Sequence, residues 1–261
     1  MEQDQRKGTT HETGMFAGAD MTVPQPSVRA SEQISANLAT VRARIDEAAL
    51  RSGRGPEAVT LVAVTKKWPL ELLEPLVAAG ASDLGESYPQ ELWRKAEALA
   101  GRKPAVRWHL IGHLQTNKAK RTLPLVEMIH AVDSLKLLHF LNSLASERLS
   151  VPSVCLQVNT SGEESKHGWS AAGILADADN IASCRNVRVV GLMTMAAWGT
   201  TAQTARPSFV AMRETRDALR QRTGLQLPHL SMGMSGDFET AILEGATLVR
   251  VGSALLEGVE T

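Results

Sequence analysis

From residue 60 onward, the chain alternates short apolar runs with amphipathic segments. Eight apolar runs have the length of buried strands. They are residues 60–66, 82–86, 107–112, 128–133, 153–159, 187–195, 229–234 and 247–253. Most of the segments between them carry apolar residues at the three- and four-residue intervals of a helix that buries one face. These segments are residues 71–80, 88–101, 115–123, 134–149, 170–184, 207–224 and 237–245. The pattern predicts an α/β chain.

Continuous apolar strands that alternate with helices are typical of parallel sheets covered on both faces. Eight such units fit a single closed (β/α)8 TIM-type barrel, with an open doubly wound sheet as the alternative. Before the first strand, apolar residues recur at helical intervals from Ile34 to Ile45, and Ser31 marks the start of this segment. We therefore predict a barrel domain over residues 32–261 with an extra N-terminal helix.

Residues 1–31 have a different composition from the rest of the chain. They are polar, rich in Thr, Gln, Gly and Pro, and follow neither hydrophobic period, so we expect a disordered extension. They contain no apolar signal-peptide core, and no segment of the chain approaches the ~18 to 20 apolar residues of a membrane span. The sequence predicts a soluble, cytoplasmic protein.

Charge and cysteine content narrow the class of partner. The chain has 28 Lys plus Arg and 28 Asp plus Glu, so no strong net field favours nucleic acid or an anionic membrane. Cys155 and Cys184 lack the spacing of a metal site and are interpreted as reduced packing residues. His109, His130 and His229 are interpreted as core histidines with hydrogen-bond partners rather than metal ligands. A small molecule is the expected partner.

Strands seven and eight both end in glycine and serine. Barrels of this type bind ligands at the carboxyl ends of their strands, and phosphate often lies beyond strands seven and eight. Ser235 follows strand seven between two glycines, while Gly252 and Ser253 end strand eight. Glycine lets backbone N–H groups approach an anion, and a hydroxyl adds a donor. Either motif alone fits an ordinary turn, but together they predict a phosphate site.

Lys66 closes strand one in the stretch LVAVTKKWP. A lysine at a partly desolvated barrel mouth can form a Schiff base with a carbonyl, although a solvated strand-end lysine is the commoner case. Lys67 should point the other way because strand side chains alternate. With a phosphate site across the mouth, Lys66 suggests pyridoxal 5′-phosphate (PLP), which carries both an aldehyde and a phosphate.

Arg250 lies inside strand eight, where an unpaired guanidinium is costly. One explanation is a salt bridge to a carboxylate such as Glu86 or Asp237. The other is a bond to a ring nitrogen or anion of a ligand. The residue pattern by itself favours the salt bridge.

Several collinear motifs resemble those of the pyridoxal phosphate homeostasis proteins, whose fold is similar to the N-terminal barrel of alanine racemase. They are AVTK at 63–66, LGESYPQE at 84–91, WHLIGHLQTNK at 108–118, NTSGEESKHG at 159–168, GLMTM at 191–195 and LSMGMSGDFETAILEGATLVRVGSALLEG at 230–258. The resemblance implies that Lys66 carries PLP as an internal aldimine. It also implies that Arg250 faces the pyridine nitrogen.

The same resemblance implies the rest of the cofactor site. Ser235, Gly252 and Ser253 match the positions that bind phosphate, and Met234 lies in the same motif. Ser87 stands where the family usually has asparagine, which puts any hydrogen bond from that amide in doubt.

We expect a monomeric or weakly associated barrel that binds PLP through Lys66 and stores it or delivers it to PLP-dependent apo-enzymes, without substantial catalysis. A racemase-type PLP enzyme and a Schiff-base lyase acting on a phosphorylated sugar are the alternatives. Racemisation needs a second base opposite the lysine. Tyr88 is the single tyrosine, and the sequence ends after strand eight without the additional domain that supplies this base in alanine racemase. We therefore expect a binding protein rather than an enzyme.

Overall fold

The computed structural model describes residues 26–102, 104–146, 153–163, 167–197 and 199–259. Eight parallel strands form a closed barrel in sequence order, and the last strand pairs with the first. The strands are β1 Thr60–Val64, β2 Asp83–Glu86, β3 Arg107–Leu110, β4 Met128–Val132, β5 Ser153–Gln157, β6 Arg188–Met193, β7 His229–Ser231 and β8 Leu248–Val251. All eight predicted strands are confirmed, although most end earlier than predicted, and the barrel is closed rather than open.

Helices surround the barrel and connect its strands. They are α1 Val28–Arg51, α2 Leu73–Ala78, α3 Pro89–Ala98, α4 Thr116–Thr122, α5 Leu135–Ser146, α6 Ala171–Ala176, α7 Ala178–Ser183, α8 Ala202–Thr223 and α9 Phe238–Leu243. The predicted helix over 170–184 is thus two helices that meet at Asp177. Helix α8 begins before Pro207, contrary to the prediction, because Thr201 and Thr204 cap its first turn reciprocally.

Helix α1 also begins earlier than predicted. The Ser27 hydroxyl accepts a hydrogen bond from the Ala30 N–H at 3.1 Å, which places the N-cap at Ser27 instead of Ser31. The last residues of the predicted extension are therefore helical. Residues 1–25 lie outside the described residues, so disorder there stays a prediction. The Asn37 amide ties α1 to the chain beyond β8 by donating to the Glu257 carbonyl at 2.8 Å.

The barrel has an apolar outer layer against the helices and a mixed interior. The interior apolar cluster comprises Val62, Met128, Ala131, Cys155, Met193 and Leu248. In β8, Leu248 belongs to this cluster while Val249 and Val251 belong to the outer layer. Because strand side chains alternate, Arg250 points into the barrel.

The two cysteines are packing residues, as predicted. Both are free and buried. Burial raises the pKa of the Cys155 thiol to about 12, so the thiol stays protonated at neutral pH. Within the described part of the chain, no cluster of His, Cys, Asp and Glu could hold a metal ion. None of the described helices combines the length and apolarity needed to cross a membrane.

Candidate functional site at the barrel mouth

A cavity of about 600 Å³ opens at the carboxyl ends of the strands. Every residue that the sequence assigned to the cofactor site lines it. These residues are Lys66, Ser87, Met234, Ser235, Arg250, Gly252 and Ser253. The barrel therefore brings β1, β2, β7 and β8 together around one space.

Lys66 and Lys67 follow β1 in a turn closed by a 2.9 Å hydrogen bond from the Trp68 N–H to the Thr65 carbonyl. Both lysines are exposed and both line the cavity. The prediction that Lys67 points away relied on strand alternation, which does not extend through the turn because β1 ends at Val64. Neither lysine has an ion-pair partner among the described residues.

A buried ion pair fixes the backbone next to Lys66. The Lys95 ammonium of α3 donates to the Thr65 carbonyl at 2.6 Å and to Glu86 Oε1 at 2.7 Å. The Thr65 hydroxyl donates to the same carboxylate oxygen at 2.7 Å. Because Thr65 precedes Lys66 and Glu86 precedes Ser87, the pair joins two strand ends that line the cavity.

Sequence reasoning missed Lys95. It lies in a helix that carries several charged residues, and it is 1% exposed at the side chain. Its position three residues after buried Leu92 places it on the inner helix face, which is the only signal that the sequence offered.

Arg250 forms the floor of the cavity. Its Nη1 donates a hydrogen bond to the Ser231 hydroxyl oxygen at 2.7 Å, and its Nη2 donates one to the Thr194 carbonyl at 2.9 Å. A guanidinium has five N–H donors, so these two bonds leave three without an acceptor among the described residues. Burial lowers the pKa of Arg250 to about 10, which keeps it a cation at neutral pH.

Neither carboxylate considered as a salt-bridge partner of Arg250 fills that role. Glu86 pairs with Lys95, and Asp237 Oδ1 accepts the Met234 N–H at 2.6 Å. Burial raises the pKa of Asp237. Since no described carboxylate lies within ion-pair distance of Arg250, the salt bridge that the residue pattern favoured is wrong.

Hydroxyl and backbone donors converge at one side of the cavity. The Ser235 hydroxyl oxygen accepts the N–H groups of Gly252 and Ala254 at 3.3 and 3.4 Å. Gly233 sits at φ 94°, and a Cβ there would lie 2.7 Å from the Cβ of Ala241, so only glycine fits the turn. A Cβ on Gly236 would meet nothing within 4 Å, which shows that the loop borders open space. This arrangement can hold an anion.

Apolar walls complete the cavity, and the sequence did not identify most of them. They are Val64, Trp68, Ile111, Met195 and Leu256. Met195 packs against the interior cluster and also borders the cavity. Ser87 is half-buried, and its hydroxyl has no hydrogen-bond partner among the described residues. It therefore remains available to a ligand.

Comparisons with known proteins identify the family of this chain. Residues 32–258 match the family model of the alanine racemase N-terminal domain. The chain is 38% identical over 218 residues to the pyridoxal phosphate homeostasis protein of Aquifex aeolicus, covering 84% of this chain and 95% of the relative. It is 40% identical over 222 residues to the protein of that name from Pseudomonas aeruginosa, covering 85% and 94%.

A solved structure with bound PLP is also similar. PipY of Synechococcus elongatus shares 35% identity with this chain at a TM-score of 0.74, over 85% of this chain and 99% of PipY. Sequence identity of 35–40% over nearly the whole length of each relative is sufficient to assign the chain to a family. The chain belongs to the pyridoxal phosphate homeostasis protein family, whose barrel is that of the alanine racemase N-terminal domain.

Proposed function

We propose that this protein binds PLP at the barrel mouth and acts in intracellular PLP homeostasis. The observation that carries the proposal is that a single cavity contains an amine, a guanidinium and a cluster of hydroxyl and backbone N–H donors. These are the groups that an aldehyde, a ring nitrogen and a phosphate require. The bound PLP of PipY, a relative at 35% identity, supports the same ligand.

Each end of the cofactor has a matching group in this chain. The Lys66 amine would condense with the aldehyde and release water, and Arg250 would donate to the ring nitrogen. The Ser235 and Ser253 hydroxyls and the Gly252 backbone hold the phosphate, while Ser87 and Met234 border the ring. When bound, PLP would supply an electrophilic C=N carbon that a second amine could attack, with release of the Lys66 amine.

The proposal includes storage and delivery of PLP by a monomeric barrel to PLP-dependent apo-enzymes, rather than turnover. Racemisation needs a second base on the face opposite the lysine. Tyr88 is 66% exposed and does not line the cavity, and Lys67 approaches from the same strand end as Lys66. Arg250 remains a cation and so leaves the ring nitrogen unprotonated, which weakens it as an electron sink. These features favour retention of the cofactor.

A transfer experiment tests this function. Apo protein loaded with one equivalent of PLP and freed of excess is mixed with an apo PLP enzyme, whose activity we expect to recover. The loaded protein alone should show no racemisation of alanine at ordinary kcat values of ~1 to 10³ s⁻¹. Failure to bind PLP, or steady racemisation in that range, would contradict the proposal.

Replacing both Ser235 and Ser253 with alanine should selectively weaken phosphate recognition. Each replacement removes a hydroxyl donor, and bonds to charged groups contribute roughly 1.5–3 kcal/mol each. We expect PLP affinity to fall about a hundredfold or more while affinity for pyridoxal, which lacks the phosphate, stays within about twofold. Titration of both ligands by absorbance measures the ratio. An unchanged preference for PLP over pyridoxal would place the phosphate elsewhere.

A further inference from the structure

Five buried polar side chains form a continuous hydrogen-bonded chain across the barrel interior. The links are Asp83 Oδ1 to His109 Nε2 at 3.0 Å, His109 Nδ1 to His130 Nε2 at 2.9 Å, His130 Nδ1 to Ser231 Oγ at 2.7 Å and Ser231 Oγ to Arg250 Nη1 at 2.7 Å. We call these five residues the relay. All are at most 5% exposed. Since β4 and β7 are not neighbours, the bond from His130 to Ser231 crosses the interior.

The carboxylate at the far end determines the direction of every hydrogen bond. An ionised Asp83 can only accept, so His109 Nε2 must carry the proton. In a neutral imidazole the other nitrogen is an acceptor, so His130 Nε2 donates to His109 Nδ1. His130 Nδ1 then accepts the Ser231 hydroxyl proton. The Ser231 oxygen is thereby left to accept from Arg250.

The electrostatics support this arrangement. Burial alone would raise the pKa of Asp83, but hydrogen bonds from His109, Arg107 and Ser82 outweigh it and lower the pKa. Burial lowers the pKa of His130 well below its ordinary value, and the nearby Arg250 cation acts in the same direction. His130 is therefore neutral, as the order of hydrogen-bond donors and acceptors in the relay requires.

We propose that the relay is a positioning device in which Asp83 fixes the tautomers of His109 and His130 so that Ser231 stays an acceptor for Arg250. A carboxylate placed directly against Arg250 would engage the guanidinium edge and use two of its donors. The relay instead connects Arg250 to a distant anion through neutral groups. This geometry leaves donors of Arg250 free at the cavity floor. His109 and His130 are thus positioning residues for the contact with the cofactor ring nitrogen, an inference that rests on the proposed function.

The ring nitrogens of the apo protein report the relay directly. Long-range proton–nitrogen correlation spectra of ¹⁵N-histidine protein, assigned with single histidine variants, distinguish protonated from unprotonated ring nitrogens. We expect His109 and His130 both to be neutral with the proton on Nε2. A proton on Nδ1 of either ring, including a doubly protonated ring, would overturn the relay.

A matched pair of serine variants tests the effect on the ligand. Ser231→Ala removes the link between His130 and Arg250, whereas Ser153→Ala removes another buried strand serine that accepts from an arginine, Arg188, at 2.7 Å. The ligands are PLP and an analogue in which carbon replaces the ring nitrogen. Wild type should prefer PLP by about tenfold, the range of a hydrogen bond to a charged donor.

In Ser231→Ala this preference should fall to about twofold or less, and in Ser153→Ala it should match wild type. An unchanged preference in Ser231→Ala, or an equal loss in Ser153→Ala, would overturn the proposal. If Ser231→Ala does not fold, the histidine ring spectrum of the wild-type protein still tests the proposed tautomers of His109 and His130. If wild type binds neither ligand, the proposed function fails instead, and the ring spectrum still reports the relay.

Discussion

Lys66→Ala is expected to abolish covalent attachment of PLP and with it the absorbance near ~420 nm that is typical of a PLP–lysine Schiff base. The reason is that only a side-chain amine at this position can form the bond. Wild-type and variant proteins are loaded with PLP, freed of excess and compared by absorbance. The phosphate and ring contacts remain in the variant, so weak, noncovalent binding should persist.

Lys67→Ala is the matched control, since Lys67 is also exposed and also borders the cavity. Because we propose attachment at Lys66, we expect Lys67→Ala to keep the band. If Lys67→Ala loses the band and Lys66→Ala keeps it, Lys67 and not Lys66 is the residue that forms the Schiff base.

Lys95→Met is expected to lower the free energy of unfolding by roughly 3–5 kcal/mol, the usual cost of removing one partner of a buried ion pair. Glu86 is fully buried, and its Oε2 has no hydrogen-bond partner in the described residues. Without Lys95, this carboxylate would keep only the Thr65 hydroxyl. Urea unfolding of the apo protein measures the change. Retention of PLP should also weaken, because the turn that contains Lys66 loses the bond that fixes the Thr65 carbonyl.

Arg94→Met, one residue away, serves as the control. Arg94 pairs with Glu91 on the surface, where the two side chains are 52% and 41% exposed. Such pairs contribute only about 0.2–1 kcal/mol. Replacing both Glu86 and Lys95 with apolar residues should recover most of the loss, because no buried charge then remains. Equal effects of Lys95→Met and Arg94→Met would show that the buried pair does not stabilise the fold.

The barrel was predictable because apolar strands that alternate with helices have few arrangements that bury both faces of a parallel sheet. Helix starts were less predictable. Helix α1 begins where the Ser27 side chain caps it, and α8 begins where Thr201 and Thr204 cap each other. Other polar residues near each start could have formed the same hydrogen bonds.

The candidate site was partly predictable for a related reason. Ser235, Gly252 and Ser253 follow strand ends that the fold brings to one place, so their chemistry could be read from their positions. The orientation of Lys67 could not be read, because it depends on where β1 stops.

Long-range pairing was the hardest part to predict. His109 and His130 were interpreted as hydrogen-bonded core residues, which is confirmed. Their connection to Arg250 depends on which side chains meet across the barrel, and local sequence does not encode that. Local sequence also does not show that Glu86 pairs with Lys95 and not with Arg250.

Mass spectrometry after borohydride reduction identifies the attachment residue directly. Borohydride converts a Schiff base into a stable amine, so the pyridoxyl phosphate group survives digestion. Protein loaded with one equivalent of PLP is reduced, digested and sequenced by fragmentation. We expect the group on Lys66. Its absence from every peptide, or its presence chiefly on Lys67 or another lysine, would contradict the binding mode proposed for this protein.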